Sequence, residues 1–166
     1  MNNVVIPTSI EKMDRDEFLT YIDTTPNSTA TYKILGVGIT DYAVSFNPQV
    51  DQEKWIIEKN ARNIHRSNQK QGSVTQTIYK GDPCFEFVAA GRDQLNYKTH
   101  ILDIDTWNGT GSVYPATLTD GIIAVTEFGG EDATISYDLY YNGNPTVGTV
   151  TFDGNGNPTF QETASL

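Results

Sequence analysis

This sequence has a single cysteine, two histidines and no long apolar run, and each scarcity excludes a class of protein. Cys84 alone cannot form an internal disulfide framework. His65 and His100 have no second histidine or cysteine at ligand spacing, which argues against a zinc site. No run approaches the roughly 18 apolar residues of a membrane span, and the first residues lack a basic stretch followed by an apolar one, as in a secretory signal. We therefore expect a protein made and folded in a cytoplasm.

Basic residues are almost missing from the second half of the chain. Between Tyr97 and Leu166 there are nine acidic residues and one basic residue, Lys98, whereas the segment from Lys33 to Asn96 is close to neutral. Binding to the nucleic-acid backbone needs cations that face phosphates. Direct binding of DNA or RNA by the C-terminal half is therefore disfavoured. The acidic residues would also keep the protein soluble.

The composition predicts one mainly β domain with one α-helix. The 166 residues are enough for a single packed core, and the many Tyr, Phe, Val and Thr residues favour strands. Residues 1–30 are interpreted as an N-terminal arm with a short helix over Ile10–Leu19, and 31–166 as one β-rich domain. The main helix is predicted over Asp82–Leu95, with Asp82 as N-cap and Pro83 at its first position.

The remaining pattern is typical of strands joined by turns. Asn142-Gly143-Asn144-Pro145 is a hairpin signal between two strands, and Asp153–Pro158 predicts a second turn. The predicted strands are Tyr32–Val37, Ile39–Phe46, Glu53–Asn60, Ser73–Tyr79, Thr99–Thr106, Gly121–Phe128, Thr134–Tyr141, Thr146–Asp153 and Thr159–Thr163.

A polar segment over 61–72 separates two of these strands and is predicted to be a long loop. It carries the basic side chains Arg62, His65, Arg66 and Lys70 together with four amides. A partly basic loop on an acidic protein favours contact with another protein rather than chemistry.

No arrangement of residues indicates catalysis, so we expect a protein that is not an enzyme and needs no cofactor or metal. Asp103 and Asp105 share a strand face and invite comparison with the paired carboxylates of glycoside hydrolases. Their alternation with Leu102 and Ile104 is explained more simply by a half-buried strand. Cys84 has no partnered base, and residues 153–157 lack the bidentate Glu of a calcium loop.

In the order of its segments the chain resembles the major tail proteins, or tail tube proteins, of long-tailed bacteriophages and prophages. The likeness covers most of the sequence, and no single piece is a catalytic signature. The segments are FLTYID (18–23), YKILGVGITDYAVSFNPQ (32–49), EKWIIEKNA (53–61), YKGDPCFEFV (79–88), THILDID (99–105), VYPA (113–116), FGG (128–130) and NGNPTVGTVTFDGNGNPTF (142–160).

The resemblance implies a β-sandwich-like or barrel-like tail-tube fold with a flanking helix, a long inter-subunit loop and extended termini. Such subunits form hexameric rings that stack into a hollow tube, the conduit for DNA ejection in the virion tail. The implied partners are other copies of the chain, a tape-measure protein, baseplate or distal tail proteins and a tail terminator, with genomic DNA passing through without specific binding and no membrane. The loop at 61–72 would reach the next ring. Candidate acidic residues of the lumen are Asp103, Asp105, Asp120, Glu127 and Asp138.

Two other classes of function remain open. A carbohydrate- or host-binding β-sandwich module of a phage particle is suggested by four aromatic residues, Trp55, Trp107, Tyr140 and Tyr141, if these are exposed. A small β-rich hydrolase would use Asp103 or Asp105.

Overall fold

The computed structural model describes residues 8–163, and this part of the chain is mainly β with one α-helix, as predicted. The helix α1 covers Pro83–Ala90, and short 3₁₀ turns cover Arg15–Glu17 and Thr106–Asn108. The strands are β1 (Phe18–Asp23), β2 (Tyr32–Ile34), β3 (Val44–Ser45), β4 (Pro48–Glu53), β5 (Arg62–Asn68), β6 (Gln71–Thr77), β7 (Tyr97–Asp105), β8 (Tyr114–Gly129), β9 (Thr134–Phe152) and β10 (Pro158–Glu162).

All strand pairs are antiparallel. Seven strands follow the order β2-β1-β7-β8-β9-β6-β3, and β10 pairs with the C-terminal half of β9. Strands β4 and β5 pair only with each other, as a separate hairpin. No helix in the described residues is long and apolar enough to cross a membrane.

The sheet buries a hydrophobic core on each of its two faces. Successive side chains of a strand point to opposite faces, so Ile101 enters the first core while Leu102 and Ile104 enter the second. The first core lies under α1 and the segment that contains Tyr42. It comprises Ile22, Leu35, Tyr42, Val74, Cys84, Val88, Ile101, Ile123, Ile135, Tyr137, Leu139 and Tyr141. The second comprises Tyr21, Leu102, Ile104, Ala116 and Val150.

The long ribbon of β8 and β9 connects the two cores and makes the arrangement sandwich-like. Its Ile123–Leu139 end serves the first core, and its Ala116–Val150 end serves the second. In a flat sheet β1 and β9 would lie about 14 Å apart, three strand spacings. The rings of Tyr21 and Phe152 nevertheless lie 6.3 Å apart. The two side chains therefore reach toward each other over β7 and β8 and close the second core.

The hairpin predicted at Asn142–Pro145 is wrong. Strand β9 runs through this segment without turning, and the pairing passes from Asp120↔Asn142 to Leu118↔Thr146. Residues 143–145 thus stand opposite Thr119 as a bulge, with Gly143 at φ 72°. The turn signal is overridden because β8 offers partners on both sides of it, and a bulge accommodates a proline that cannot donate to the ladder.

The helix begins where predicted but ends earlier. The Asp82 carboxylate accepts a hydrogen bond from the Cys84 amide at 3.2 Å, which confirms it as the N-cap. The helix stops at Ala90, and Leu95 is exposed. The ring of Tyr97 lies directly against Gly91, in the space that a Cβ would occupy, so β7 packs where a longer helix would continue.

Part of the segment predicted to be an N-terminal arm, residues 1–30, belongs to the sheet. The predicted helix over Ile10–Leu19 is wrong, because only Arg15–Glu17 forms a 3₁₀ turn before the chain enters β1. Strand β1 pairs with β2 and β7, and Tyr21–Asp23 are buried. The expected strands Tyr32–Val37 and Ile39–Phe46 shorten to β2 and β3, whereas the turn after Asp153 and the terminal strand are confirmed.

Candidate functional site

The polar segment predicted to be a loop is instead the second strand of a projecting hairpin. Strands β4 and β5 pair from Pro48↔Asn68 to Glu53↔Arg62, and most of the predicted strand Glu53–Asn60 forms the hairpin tip. From Phe46 to Gln69 no residue is buried. Sequence periodicity missed the hairpin because neither of its faces is apolar along its length.

The tip of the hairpin holds three large apolar residues in solvent. Trp55, Ile56 and Ile57 are 52%, 103% and 83% exposed. The turn is closed by Glu58, whose amide donates to the Trp55 carbonyl at 3.0 Å and whose carboxylate accepts from the Trp55 amide at 3.1 Å. The Trp55–Ile57 triplet could have indicated this exposed surface from the sequence, but it was interpreted as part of the predicted strand Glu53–Asn60.

Each of the four basic residues predicted as inter-subunit contacts has a partner in its own chain. Arg62 pairs with Glu58, and its guanidinium lies 4.1 Å from the centre of the Trp55 ring. Arg66 is the extra residue of a β-bulge and pairs with Asp51 at 3.2 Å across the hairpin. Such exposed ion pairs contribute little to stability, so these side chains remain available to a neighbour.

The other two basic residues, His65 and Lys70, have their partners toward the base of the hairpin. His65 Nε2 is 2.7 Å from the Asn68 side-chain oxygen. The Lys70 ammonium lies between two aromatic rings, 5.0 Å from the centre of Phe46 and 4.6 Å from that of Tyr141. A cavity of about 550 Å³ brings His65, Arg66 and Lys70 together, whereas Arg62 lies at the other end of β5.

An apolar groove of about 620 Å³ adjoins this cavity, and Phe46 and Lys70 line both. The segment Tyr42–Phe46 forms one wall of the groove, and β1 and β7 form the other. Its lining residues include Phe18, Leu19, Thr20, Tyr42, Val44, Phe46, Asp103 and Asp105.

Asp103 lies half-buried in this groove. It accepts a hydrogen bond from the Thr20 hydroxyl at 2.8 Å, and burial raises its pKa above the ordinary value. The hydroxyls of Tyr42 and Tyr141 lie 3.1 Å apart beside it, and burial raises the pKa of both tyrosines. Nearby Asp105 is exposed, and partial desolvation raises its pKa as well.

Replacing Asp103 by asparagine is expected to raise the melting temperature at pH 7. Because the folded pKa of this carboxyl is raised, the folded chain binds more protons than the unfolded chain between the ordinary Asp pKa of about 3.9 and the folded value. The contribution of Asp103 to the free energy of unfolding therefore falls as the pH rises through this window. Above the window the full cost of burying the ionised carboxylate is present. Asparagine keeps an oxygen for the Thr20 hydroxyl and cannot ionise.

Thermal unfolding of Asp103→Asn and the parent chain between pH 3 and 8 tests this. The difference in melting temperature should shrink toward low pH. Asp132→Asn, at an exposed carboxylate, is the matched control and should show little difference at any pH. A lower melting temperature for Asp103→Asn at pH 7 would contradict the expectation.

The five acidic residues named as candidates for the lumen lie on two faces of the sheet. Asp103 and Asp105 lie on the face that carries Ile101, because strand residues two apart share a face. Asp120, paired with His100, lies on the opposite face. The register of β8 with β9 and β6 places Glu127 and Asp138 on that same opposite face.

Hydroxyl groups that the sequence pattern did not single out contact one of these acids, Asp138. Asp138 accepts from the Ser73 hydroxyl at 2.8 Å and from the Tyr140 hydroxyl at 3.3 Å. Beside them the hydroxyls of Thr75 and Ser136 lie 3.2 Å apart. The alternation of hydroxyl residues in SVTQT (73–77) could have indicated this polar face from the sequence.

His100 bridges two carboxylates rather than forming a recognisable catalytic group. Its Nδ1 lies 2.9 Å from Asp23 and its Nε2 lies 3.4 Å from Asp120. Asp23 is buried, and its other oxygen accepts from the amides of Thr25 and Thr31. The Nδ1 nitrogen thus has a hydrogen-bond partner, and the two contacts join β1, β7 and β8.

Cys84 lies in the first core rather than at a reactive surface. Burial raises the pKa of its thiol to about 12, and the thiol donates toward the carbonyls of Lys33 and Ile34. The thiolate, which is the nucleophilic form, is therefore disfavoured. Within residues 8–163 no group of three or more His, Cys, Asp or Glu side chains is placed to hold a metal ion.

The four aromatic residues proposed to bind sugar do not form one surface. Tyr141 is buried, and Tyr140, the residue before it, lies on the opposite face of β9. Trp55 is at the hairpin tip, while Trp107 packs against Phe18 with ring centroids 6.4 Å apart. These positions provide no shared stacking platform.

No protein-family model matches this chain, and no curated protein matches it in sequence. What is established is the class of fold, an antiparallel, mainly β chain with one helix. Its function is therefore inferred from its own surfaces.

Proposed function

We propose that this protein is a structural subunit that assembles with itself into hexameric rings, stacked into the hollow tail tube of a bacteriophage. The observation that carries self-assembly is the uncovered hairpin, whereas the ring and tube arrangement follows from the sequence resemblance to tail tube proteins. An isolated two-stranded hairpin is marginally stable in water, and this one has no buried residue and a strongly exposed apolar tip. A neighbouring subunit would supply the missing packing.

Open sheet edges support lateral assembly. Strand β3 pairs with Gln71 and Gly72 of β6, and the Thr77 amide donates to the Gly38 carbonyl, which leaves the outer edge of Ser73–Gln76 without a strand partner in the described chain. At the other side, β2 pairs with Tyr21–Asp23 of β1 and the Leu35 amide donates to the Thr20 carbonyl, so within the described chain only Phe18 and Leu19 of β1 have no strand partner on this edge. Exposed edges are templates for pairing with another chain, and pairing around a closed ring removes them.

The polar part of the face opposite the first core, away from the second core, is the surface that we assign to the lumen. It carries Asp120, Glu127 and Asp138 among hydroxyl groups, and a carboxylate surface repels the phosphates of passing DNA. Asp103 and Asp105 lie on the opposite face, so the proposal assigns them to the groove instead. Genomic DNA would pass this face without specific binding, and the subunit would work in the virion tail after assembly in the host cytoplasm.

The same proposal implies contacts at the two ends of the tube. A baseplate or distal tail protein would begin the stack, a tape-measure protein would occupy it during assembly, and a terminator would close it. The expected role is structural and needs neither catalysis nor a cofactor.

Negative-stain electron microscopy and light scattering across a concentration series test self-assembly. We expect sixfold rings or hollow tubes, with a mass that rises with concentration. Particles that stay monomeric throughout the series would contradict the proposal, and binding of such monomers to a glycan array would instead support the host-binding module.

A further inference from the structure

The hairpin tip and the apolar groove are two uncovered apolar surfaces on the same subunit. The tip consists of Trp55–Ile57, and the groove lies between the Tyr42–Phe46 segment and strands β1 and β7. Phe18 and Phe46 at the groove are 41% and 52% exposed. Contiguous exposed apolar residues of this size mark interaction sites.

The tip cannot fill the groove of its own chain. Phe46 lines the groove, and β4 leaves from Pro48, two residues later. The paired ladder then runs six residues away from that point, which places the tip about 20 Å from the groove at 3.3 Å per residue. Any tip that enters the groove therefore belongs to another copy.

The charges of the two surfaces are complementary. Lys54 and Lys59 flank the tip and form no ion pair within residues 8–163. The groove contains Asp103 and Asp105. Arg15 and Lys70 also line the groove, and their positive charges balance those two carboxylates, so any excess of negative charge comes from the neighbouring surface. Additional acids, Asp16 and Asp41, line the cavity that adjoins the groove on the Arg15 side.

We propose that the tip Trp55–Ile57 of one copy inserts into the groove lined by Phe18, Val44 and Phe46 of a second copy, with Lys54 and Lys59 near its Asp103 and Asp105. This names the partner surface for the self-assembly proposed above and rests on it. The contact joins two different patches, so each copy gives one tip and receives another. Such a head-to-tail contact propagates around a ring or along a stack.

Cysteine crosslinking tests this pairing directly, because the native Cys84 is fully buried and gives little background. Ile56→Cys and Phe46→Cys chains are mixed, oxidised and run on a non-reducing denaturing gel. We expect a disulfide-linked dimer from the mixture, which is lost when either variant is oxidised alone. Leu95→Cys, at a residue that is 93% exposed, replaces Ile56→Cys in the control mixture and should give no dimer with Phe46→Cys.

A chain that carries both Ile56→Cys and Phe46→Cys separates the two possible partners. Disulfides need Cα atoms within about 7 Å, so a contact between copies gives a ladder of linked oligomers. An internally linked monomer would overturn the proposal. A dimer from Ile56→Cys alone would indicate tip-to-tip contact and would overturn it as well.

The same samples distinguish failure of the tip-in-groove contact from failure of the tail-tube proposal. Rings or tubes that form without the 46–56 crosslink would refute the tip-in-groove contact and leave self-assembly intact. Crosslinked ladders from a protein that forms no hollow particle would support the contact and refute the tail tube. In addition, Ile56→Asp is expected to abolish oligomers, and an Ile56→Asp chain that assembles like the parent would count against the contact.

Discussion

Replacing Ile101 by alanine is expected to lower the free energy of unfolding by about 2–5 kcal/mol. Ile101 is fully buried in the first core, where it pairs with Ile22 of β1 and lies over Gly121 of β8. A Cβ on that glycine would be 2.6 Å from Ile101 Cδ1, so the isoleucine fills the space above it. Truncation leaves a cavity at the centre of the sheet that the paired strands cannot collapse to fill.

Urea denaturation followed by tryptophan fluorescence and circular dichroism measures this loss. The matched control is Ile10→Ala, the same chemical change at a residue that is 67% exposed and lies outside the proposed tip and groove. It should change the free energy of unfolding by no more than about 0.5 kcal/mol. Equal effects of the two substitutions would mean that Ile101 is not a core residue.

Replacing Gly148 by valine is expected to detach β10 from the sheet and to destabilise the fold by about 1–3 kcal/mol or more. A Cβ at this position would overlap the Gln161 carbonyl oxygen and lie 2.6 Å from the Phe160 ring. The first of these is a backbone atom of β10, so rotation of a side chain cannot relieve the clash. Loss of Phe160 would also uncover the second core, against which it packs.

Hydrogen exchange is the measurement that localises this effect. Amides of β10 and of the C-terminal half of β9 should lose protection, while those of β6 and the first core should keep theirs. Gly154→Val is the matched control, because a Cβ there meets nothing within 4 Å. Unchanged protection of β10 in Gly148→Val would contradict the close packing of these two strands.

Only part of the candidate site could be predicted from sequence. The basic residues His65, Arg66 and Lys70 were identified and do lie around one cavity. The groove beside them was not predictable, because its walls come from β1, β7 and the Tyr42–Phe46 segment, which are distant in sequence. The split of the acidic residues between two faces also required the strand register, since a shift of one residue exchanges the faces.

The features that the sequence determined by itself are local ones. Strand-forming composition predicted a mainly β chain, Asp82 and Pro83 placed the start of α1, and Asp153 placed the last turn. Each depends on residues a few positions apart, whose capping and turn preferences act without the rest of the chain.

The tertiary structure alone decided the long-range features. In the tertiary structure β1 lies inside the sheet, and β9 continues without a turn through a segment whose sequence favours one. The polar segment pairs with β4 as a hairpin. In each case hydrogen bonds to a strand elsewhere in the chain outweighed the local preference, because backbone groups must find partners wherever the sheet supplies them. The second core arises only when those distant strands meet.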